Sequence, residues 1–197
     1  SPKTFWITQY NPSTGCESVP TQITVTVEDT ELPHVICPQD INIYLNGGEC
    51  SVFYFWDKPI ASDNCPGEPI ITQTEGPPPY SELFLNNSPY EVTYQIFDAN
   101  GNGPVNCSFN IIINGYPEPV TTMACNDTVS ISLDKNCKVK LNSDMLLEGG
   151  PYQCYNYFDI YISGYENLGN VSNKSINLDI GTYTANVVDA AGSNNNC

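Results

Sequence analysis

The chain has 197 residues with 22 Asp+Glu against six Lys+Arg, a net charge of −16 and a pI near 4.1. That balance excludes nucleic acid, whose phosphates need clustered cations, and disfavours anionic membrane surfaces. It favours solubility, self-repulsion and divalent cations.

The length allows one or two domains. No apolar run approaches the roughly 18 residues of a membrane span, and no export signal opens the chain. Membrane insertion in this segment is therefore not expected. For a secreted protein, signal and anchor are expected outside it.

The nine cysteines carry the organisation. Cys37, Cys50, Cys65 and Cys107 are separated by 13, 15 and 42 positions, and Cys125, Cys137, Cys154 and Cys197 by 12, 17 and 43. FDANGNGPVNC ahead of Cys107 is echoed by VDAAGSNNNC ahead of Cys197. Cys37 and Cys125 stand 88 apart (125−37), and Cys107 and Cys197 stand 90 apart (197−107). One structural unit is therefore used at least twice. Modules this small usually need staples, and without close C-x-x-C pairs for zinc, disulfides in an oxidising compartment are the natural reading. Cys16 takes the place of Cys107 and Cys197, so its partner is expected upstream of Ser1.

In chain order, TFWITQY and the alternating TQITVTVED read as two closing strands of a preceding module, residues 1–28. EDTELP (28–33) is a linker, with Pro33 stopping the ladder. A complete module follows over 29–115. INIYL, the NGG turn and CSVFYFW read as a hairpin. DKPIASDNCPGEP is a loop, PIITQTE a strand and GPPPYSELFLNNSP irregular. YEVTYQIF alternates, ANGNG turns and CSFNIII closes. After the linker YPEP, residues 116–197 repeat the plan with TVSISL, CKVKL, YFDIYISGY, SINLDI and GTYTANVVD, stopping short of a last strand. A short helical piece is expected at 143–150. Short strands without sustained helical periodicity argue for disulfide-stapled, all-β tandem sandwiches with Greek-key connections. Trp56, on the aromatic run with Phe53, Tyr54 and Phe55, is expected in the core.

At these residues the chain resembles the hyalin-repeat (HYR) family. The carriers are Asp29-Thr30-Glu31 with Pro33, the Cys37-Pro38-x-Asp40-Ile41 opening, and Cys50 before the strand ending at Trp56. Pro59, Ala61, Asp63-Asn64-Cys65, the TQTEG and YEVTYQIFDANGN runs and Cys107-Ser108-Phe109 complete them. The match covers 29–115, while 116–197 is divergent, with Asn126 for the opening proline and PYQC for SDNC. The resemblance implies an immunoglobulin-like fold and extracellular adhesion in tandem arrays, including large bacterial surface proteins. It brings no catalytic residues.

No catalytic constellation is visible. His34 is the sole histidine, at a strand entry, and no nucleophile elbow accompanies it. An enzyme is not expected. The chemical candidate is calcium. Asp63 and Asn64 in one loop, and Asp98, Asn100 and Asn102 in another, are expected at one end of the sandwich with linker acids Glu28, Asp29 and Glu31, a supply of oxygens for a hard cation. The plain alternative is solvated turn acids. D-A-N-G-N-G begins like an EF-hand loop, but its twelfth position is Phe109. The second junction offers only Glu118 and Asp189.

The cysteines are expected to bond within modules as structural bridges. Four allow three connectivities per module. Placing Cys65 and Cys107 at the same end favours their pairing, which leaves Cys37 with Cys50.

The function expected is a structural and adhesive repeat segment of a large extracellular or cell-surface protein, a stiff stalk, fibre or appendage. Its partners would be neighbouring modules of the same chain and, in a filament, lateral copies. The alternative is a stand-alone carbohydrate- or protein-binding module, favoured by 13 tyrosines whose flat faces can bind sugars or a protein. A third possibility, an enzyme accessory domain, needs a catalytic domain elsewhere.

Overall fold

The computed structural model describes residues 2–190 and Cys197; the AGSNNN of the second repeat word (191–196) lies outside the described residues. Residues 1–28 hold β1 (Lys3–Ile7), β2 (Tyr10–Asn11), β3 (Cys16–Glu17) and β4 (Thr21–Val25). Then come β5 (His34–Ile36), β6 (Ile41–Tyr44), β7 (Ser51–Tyr54), β8 (Ile60–Ser62) and β9 (Ile70–Glu75). β10 (Ser81–Phe84), β11 (Tyr90–Phe97) and β12 (Val105–Asn114) complete the first repeat. The second has β13 (Ala124–Cys125), β14 (Val139–Lys140), the helical turn α1 (Ser143–Leu146), β15 (Leu147–Glu148), β16 (Phe158–Ile162), β17 (Ser175–Ile176) and β18 (Ala185–Asp189). The fold is all-β, as the strand-rich pattern predicts, with α1 where the short helical piece is expected.

The chain packs as two compact units. One comprises Ser1–Cys37, Pro59–Gln73 and Tyr94–Cys107, and the other Pro38–Lys58, Thr74–Thr93 and Ser108–Cys197. In the first unit, β1 pairs antiparallel with β4, setting Phe5 opposite Ile23. Phe5, Ile7, Ile23 and Val25 thus share one face of a two-stranded ribbon, and all four are exposed. β5 pairs with β8, His34 opposite Ser62. The IAS of β8 falls in the stretch read above as a loop, its three residues held by this pairing.

The NGG segment corrects the hairpin expectation. β6 does not pair with β7. It runs parallel to the end of β12, Ile41 opposite Ile111, while β7 pairs with β10 across a stretch expected to be irregular. Turn chemistry specifies that the chain reverses, not which sheet receives the next strand. The turn Asn46–Glu49 is closed by Glu49, whose carboxylate accepts from the Asn46 backbone and amide. A parallel pair cannot be joined by a tight turn, and β6–β12 ties the second and last strands of the repeat together.

The four-stranded sheet runs β6-β12-β11-β9. Its two long strands bury every second residue: Val92, Tyr94 and Ile96 on β11, and Cys107, Phe109, Ile111 and Ile113 on β12. Period-2 burial is what their alternating sequence dictates. Trp56 is 3 % exposed, in the core as expected. In the second repeat Phe158, Ile160, Ile162 and Val187 pack with Val139, Leu147 and Tyr152 into a core of its own.

With the cysteines set in register, the pairings of the first repeat recur in the second. β5–β8 corresponds to β13–β15, β7–β10 to β14–β17, and the neighbours β9 and β11 to β16 and β18. TVSISL (128–133), the counterpart of β6, is not a strand.

Candidate cation site and disulfide framework

The loop Asp98–Gly103 is shaped by its first residue. Asp98 is fully buried, and its Oδ1 accepts from the backbone amides of Asn100 (2.8 Å) and Asn102 (2.7 Å). Its Oδ2 accepts from the Asn102 side chain at 2.7 Å. Burial alone would raise the Asp98 carboxyl. The hydrogen bonds from the Asn102 side chain and from the backbone of Asn102, Asn100 and Gly101 outweigh it and hold the group below its ordinary value. The resemblance to half an EF-hand is thus a turn closed by its own aspartate.

The asparagines turn this loop onto the linker. Asn100 donates to Asp29 Oδ2 at 2.7 Å and Asn102 to the Asp29 carbonyl at 3.2 Å. Asp29 Oδ1 accepts from the Glu31 amide, and the Asn64 side chain donates to Glu31. Asp63 accepts from the Cys65 amide at 3.0 Å. Of the residues expected to converge, Asp29, Glu31, Asn64, Asp98, Asn100 and Asn102 share this hydrogen-bond network, and ligand atoms of Asp29, Asp63 and Cys65 lie within 4.8 Å of one another. Glu28 is exposed beside it.

Chemically the cluster is mixed. Asp29 and Asp63 are hard oxygen donors suited to calcium, whereas the Asp98 lone pairs are committed to its own turn. The Cys65 thiol is a soft neighbour. Burial and the carboxylates of Asp29, Asp63 and Asp98 push that thiol up, so it stays protonated at neutral pH. Its membership was not legible as a ligand, because the sequence reading assigned Cys65 to a disulfide.

The bridges differ from the expected ones. Cys37 bonds to Cys107, not Cys50, and Cys125 bonds to Cys197. These two are equivalent bonds of the two repeats, first cysteine to fourth, spanning 70 and 72 positions. Cys50 bonds to Cys154, 104 positions away, which joins 29–115 to 116–197 instead of staying within a module. Among the described residues Cys16, Cys65 and Cys137 are unbonded. Same-end reasoning failed because Cys37 and Cys107 each stand four positions ahead of the parallel pairing of Ile41 with Ile111, a long-range contact no spacing encodes.

The Cys50–Cys154 bond sits in a tight junction. The Gly48 amide donates to the Tyr152 carbonyl and the Tyr155 amide donates to the Gly48 carbonyl, both at 3.0 Å. Added Cβ atoms would stand 2.2 Å from Pro151 Cβ at Gly47, and 2.1 Å from Tyr155 Cε2 at Gly48. The Gln153 side chain donates to the Tyr116 carbonyl and the Val120 amide to the Pro151 carbonyl, so the YPEP linker is held down as well. No helix among the described residues is long and apolar enough to cross a membrane, which says nothing of a β-barrel.

Residues 28–113 match the family described as HYR domain. The chain is 27% identical over 127 residues to hyalin of Strongylocentrotus purpuratus, covering 64% of this chain and 10% of hyalin. It is 31% identical over 98 residues to the sushi, von Willebrand factor type A, EGF and pentraxin domain-containing protein 1 of Rattus norvegicus, covering 49% of this chain and 3% of that protein. The chain therefore spans a tenth or less of these relatives. Residues 28–113, with their cysteine frame, are thus similar to the HYR domain and to a part of hyalin.

Proposed function

We propose that this segment is a stiff, disulfide-stabilised spacer within an extracellular adhesive protein, built of tandem immunoglobulin-like modules at a cell surface, bacterial surfaces included. The bond pattern supports the reading. Cys37–Cys107 and Cys125–Cys197 take residues 38–106 and 126–196 out of the line of tension between the chain ends. Cys50–Cys154, with the Gly47–Gly48 turn seated on Pro151 and Tyr155, fixes successive repeats to each other where a flexible linker would let them swing. Secreted, disulfide-dense modules belong to oxidising compartments. Electron microscopy of the longer protein carrying this segment tests the proposal: a long thin filament supports it and a compact particle removes it.

Calcium belongs to the same proposal. Asp29 and Asp63 would hold the ion, and neutralising two neighbouring carboxylates would stiffen the linker at its entry to the module.

A second reading, a carbohydrate-binding module, is favoured by one feature. Phe53 on β7 and Tyr80 ahead of β10 are 60% and 70% exposed, with ring centroids 5.9 Å apart. Tyr80 holds a φ of 61°, a costly conformation for a bulky residue, with its ring displayed to solvent. A glycan array probed with this chain and with Phe53→Ala/Tyr80→Ala tests it, since binding lost in the variant supports a sugar platform and no binding by the parent dismisses it.

A further inference from the structure

We infer that Cys65 and Cys137 are open halves of further module-to-module disulfides of the Cys50–Cys154 kind: Cys137 takes the third cysteine of a module that follows, and Cys65 the second cysteine of a module that precedes.

Each repeat has four cysteine positions. First bonds to fourth within a repeat, and this occurs twice, Cys37–Cys107 and Cys125–Cys197. Second of one repeat bonds to third of the next, and this occurs once, Cys50–Cys154. Under these two rules the third cysteine of the earlier repeat, Cys65, and the second of the later one, Cys137, are left over. They are unbonded, together with Cys16, a fourth-position cysteine.

The surroundings of Cys137 are consistent with an occupant. In the observed junction the turn at Cys50 receives the third-cysteine loop Pro151–Asn156 through the Gly48 backbone. The equivalent turn at Cys137 borders an open cleft of about 550 Å³ lined by Leu133, Asn136, Tyr165, Leu178 and Ile180. Leu133 and Ile180 there are 36% and 95% exposed. The occupant is the third-cysteine loop of a like module, by continuity with the junction already formed. The turn is reshaped, since Asp134 and Lys135 replace the two glycines and the left-handed φ moves to Cys137 itself (57°).

Each bond forms by exchange with oxidised glutathione. One cysteine thiolate attacks the glutathione disulfide and releases a glutathione thiolate. The second cysteine thiolate then attacks the mixed disulfide and releases the other. Two thiols lose two protons and two electrons, and one glutathione disulfide becomes two thiols.

The repeat register supplies the test. Residue 197 corresponds to residue 16, so a second copy starting at Glu17 and fused after Cys197 continues the array in phase. Cys16, Cys65 and Cys137 of the first copy and Cys65 and Cys137 of the second are five thiols without partners under the observed bonds alone. After refolding in a glutathione buffer, maleimide labelling is expected to find three, and non-reducing peptide mapping to find Cys137 of the first copy bonded to Cys65 of the second. Cys137→Ser in the first copy should leave the second copy's Cys65 reactive. Both thiols free, or bonded elsewhere, while the observed bonds are in place overturns the inference. The single 197-residue chain gives an arm independent of the fusion's folding. Within one monomeric chain none of Cys16, Cys65 and Cys137 should pair with another, and an intramolecular bond between two of them overturns the inference. The inference needs the repeat but not the stalk, so a bond in the tandem stands even if the parent protein proves compact.

Discussion

Gly48 lies against the ring of Tyr155, so close that a Cβ on it would meet Cε2 at 2.1 Å, although the two residues belong to different sequence repeats. At φ 82° the position is also left-handed, where only glycine is at ease. Gly48→Ala should therefore lose about 2–4 kcal/mol, roughly 1 from the backbone and the rest from overpacking. Gly101→Ala is the control. It has φ 93° but nothing within 4 Å of an added Cβ, and should lose only about 1 kcal/mol. Urea unfolding of the two variants separates these contributions.

The double variant Cys50→Ser/Cys154→Ser tests the junction covalently without leaving a stray thiol. Loop closure over 104 positions corresponds to about 4 kcal/mol on the chain-entropy account, reduced by overlap with the other two bridges. The urea midpoint should fall accordingly. An unchanged midpoint would mean that the bond adds nothing to the packing around Gly48.

Asp98 sets an acid limb of stability. Its folded carboxyl is held below the ordinary value of 3.8 by donated hydrogen bonds, in spite of burial. A depressed folded pKa contributes stability that is fully present above the unfolded pKa and is lost as pH falls through the folded one. Stability should therefore decline below about pH 3.8, and Asp98→Asn should flatten that decline while lowering stability at neutral pH. Urea midpoints taken from about pH 5 down to about pH 2 give the slope.

Calcium, if held by Asp29 and Asp63, should raise the melting temperature at millimolar concentration, and a chelator should reverse the rise. Asp29→Asn/Asp63→Asn should abolish the response. A flat titration of the unaltered protein removes the ion from the account.

What the sequence disclosed and what it hid divide along a physical line. The long alternating strands, the core place of Trp56, the α1 turn and the repeat itself were legible, because period-2 burial and matched cysteines are local or simply periodic signals. The loops bearing Asp63 and Asp98 were legible as turns, and the hydrogen bonds from Asn100 and Asn102 to Asp29 join one of them to the linker. The β6–β12 pairing was hidden, since a parallel contact across most of a module leaves no mark near the NGG turn. The bond between Cys50 and Cys154 was hidden for the same reason. Its one trace is the Gly47-Gly48 pair, which local reasoning reads as a hairpin turn and which packing shows to be clearance for Pro151 and Tyr155.

Force–extension of single molecules pulled from both ends tests the disulfide-shielded spacer most directly. With Cys37–Cys107 and Cys125–Cys197 closed, the load passes through the 36 positions from Ser1 to Cys37 and the 18 from Cys107 to Cys125. At roughly 3.3–3.6 Å per residue the oxidised chain should stop extending near about 200 Å, and the reduced chain should reach about 700 Å. An oxidised chain that runs out to the reduced length would contradict the account.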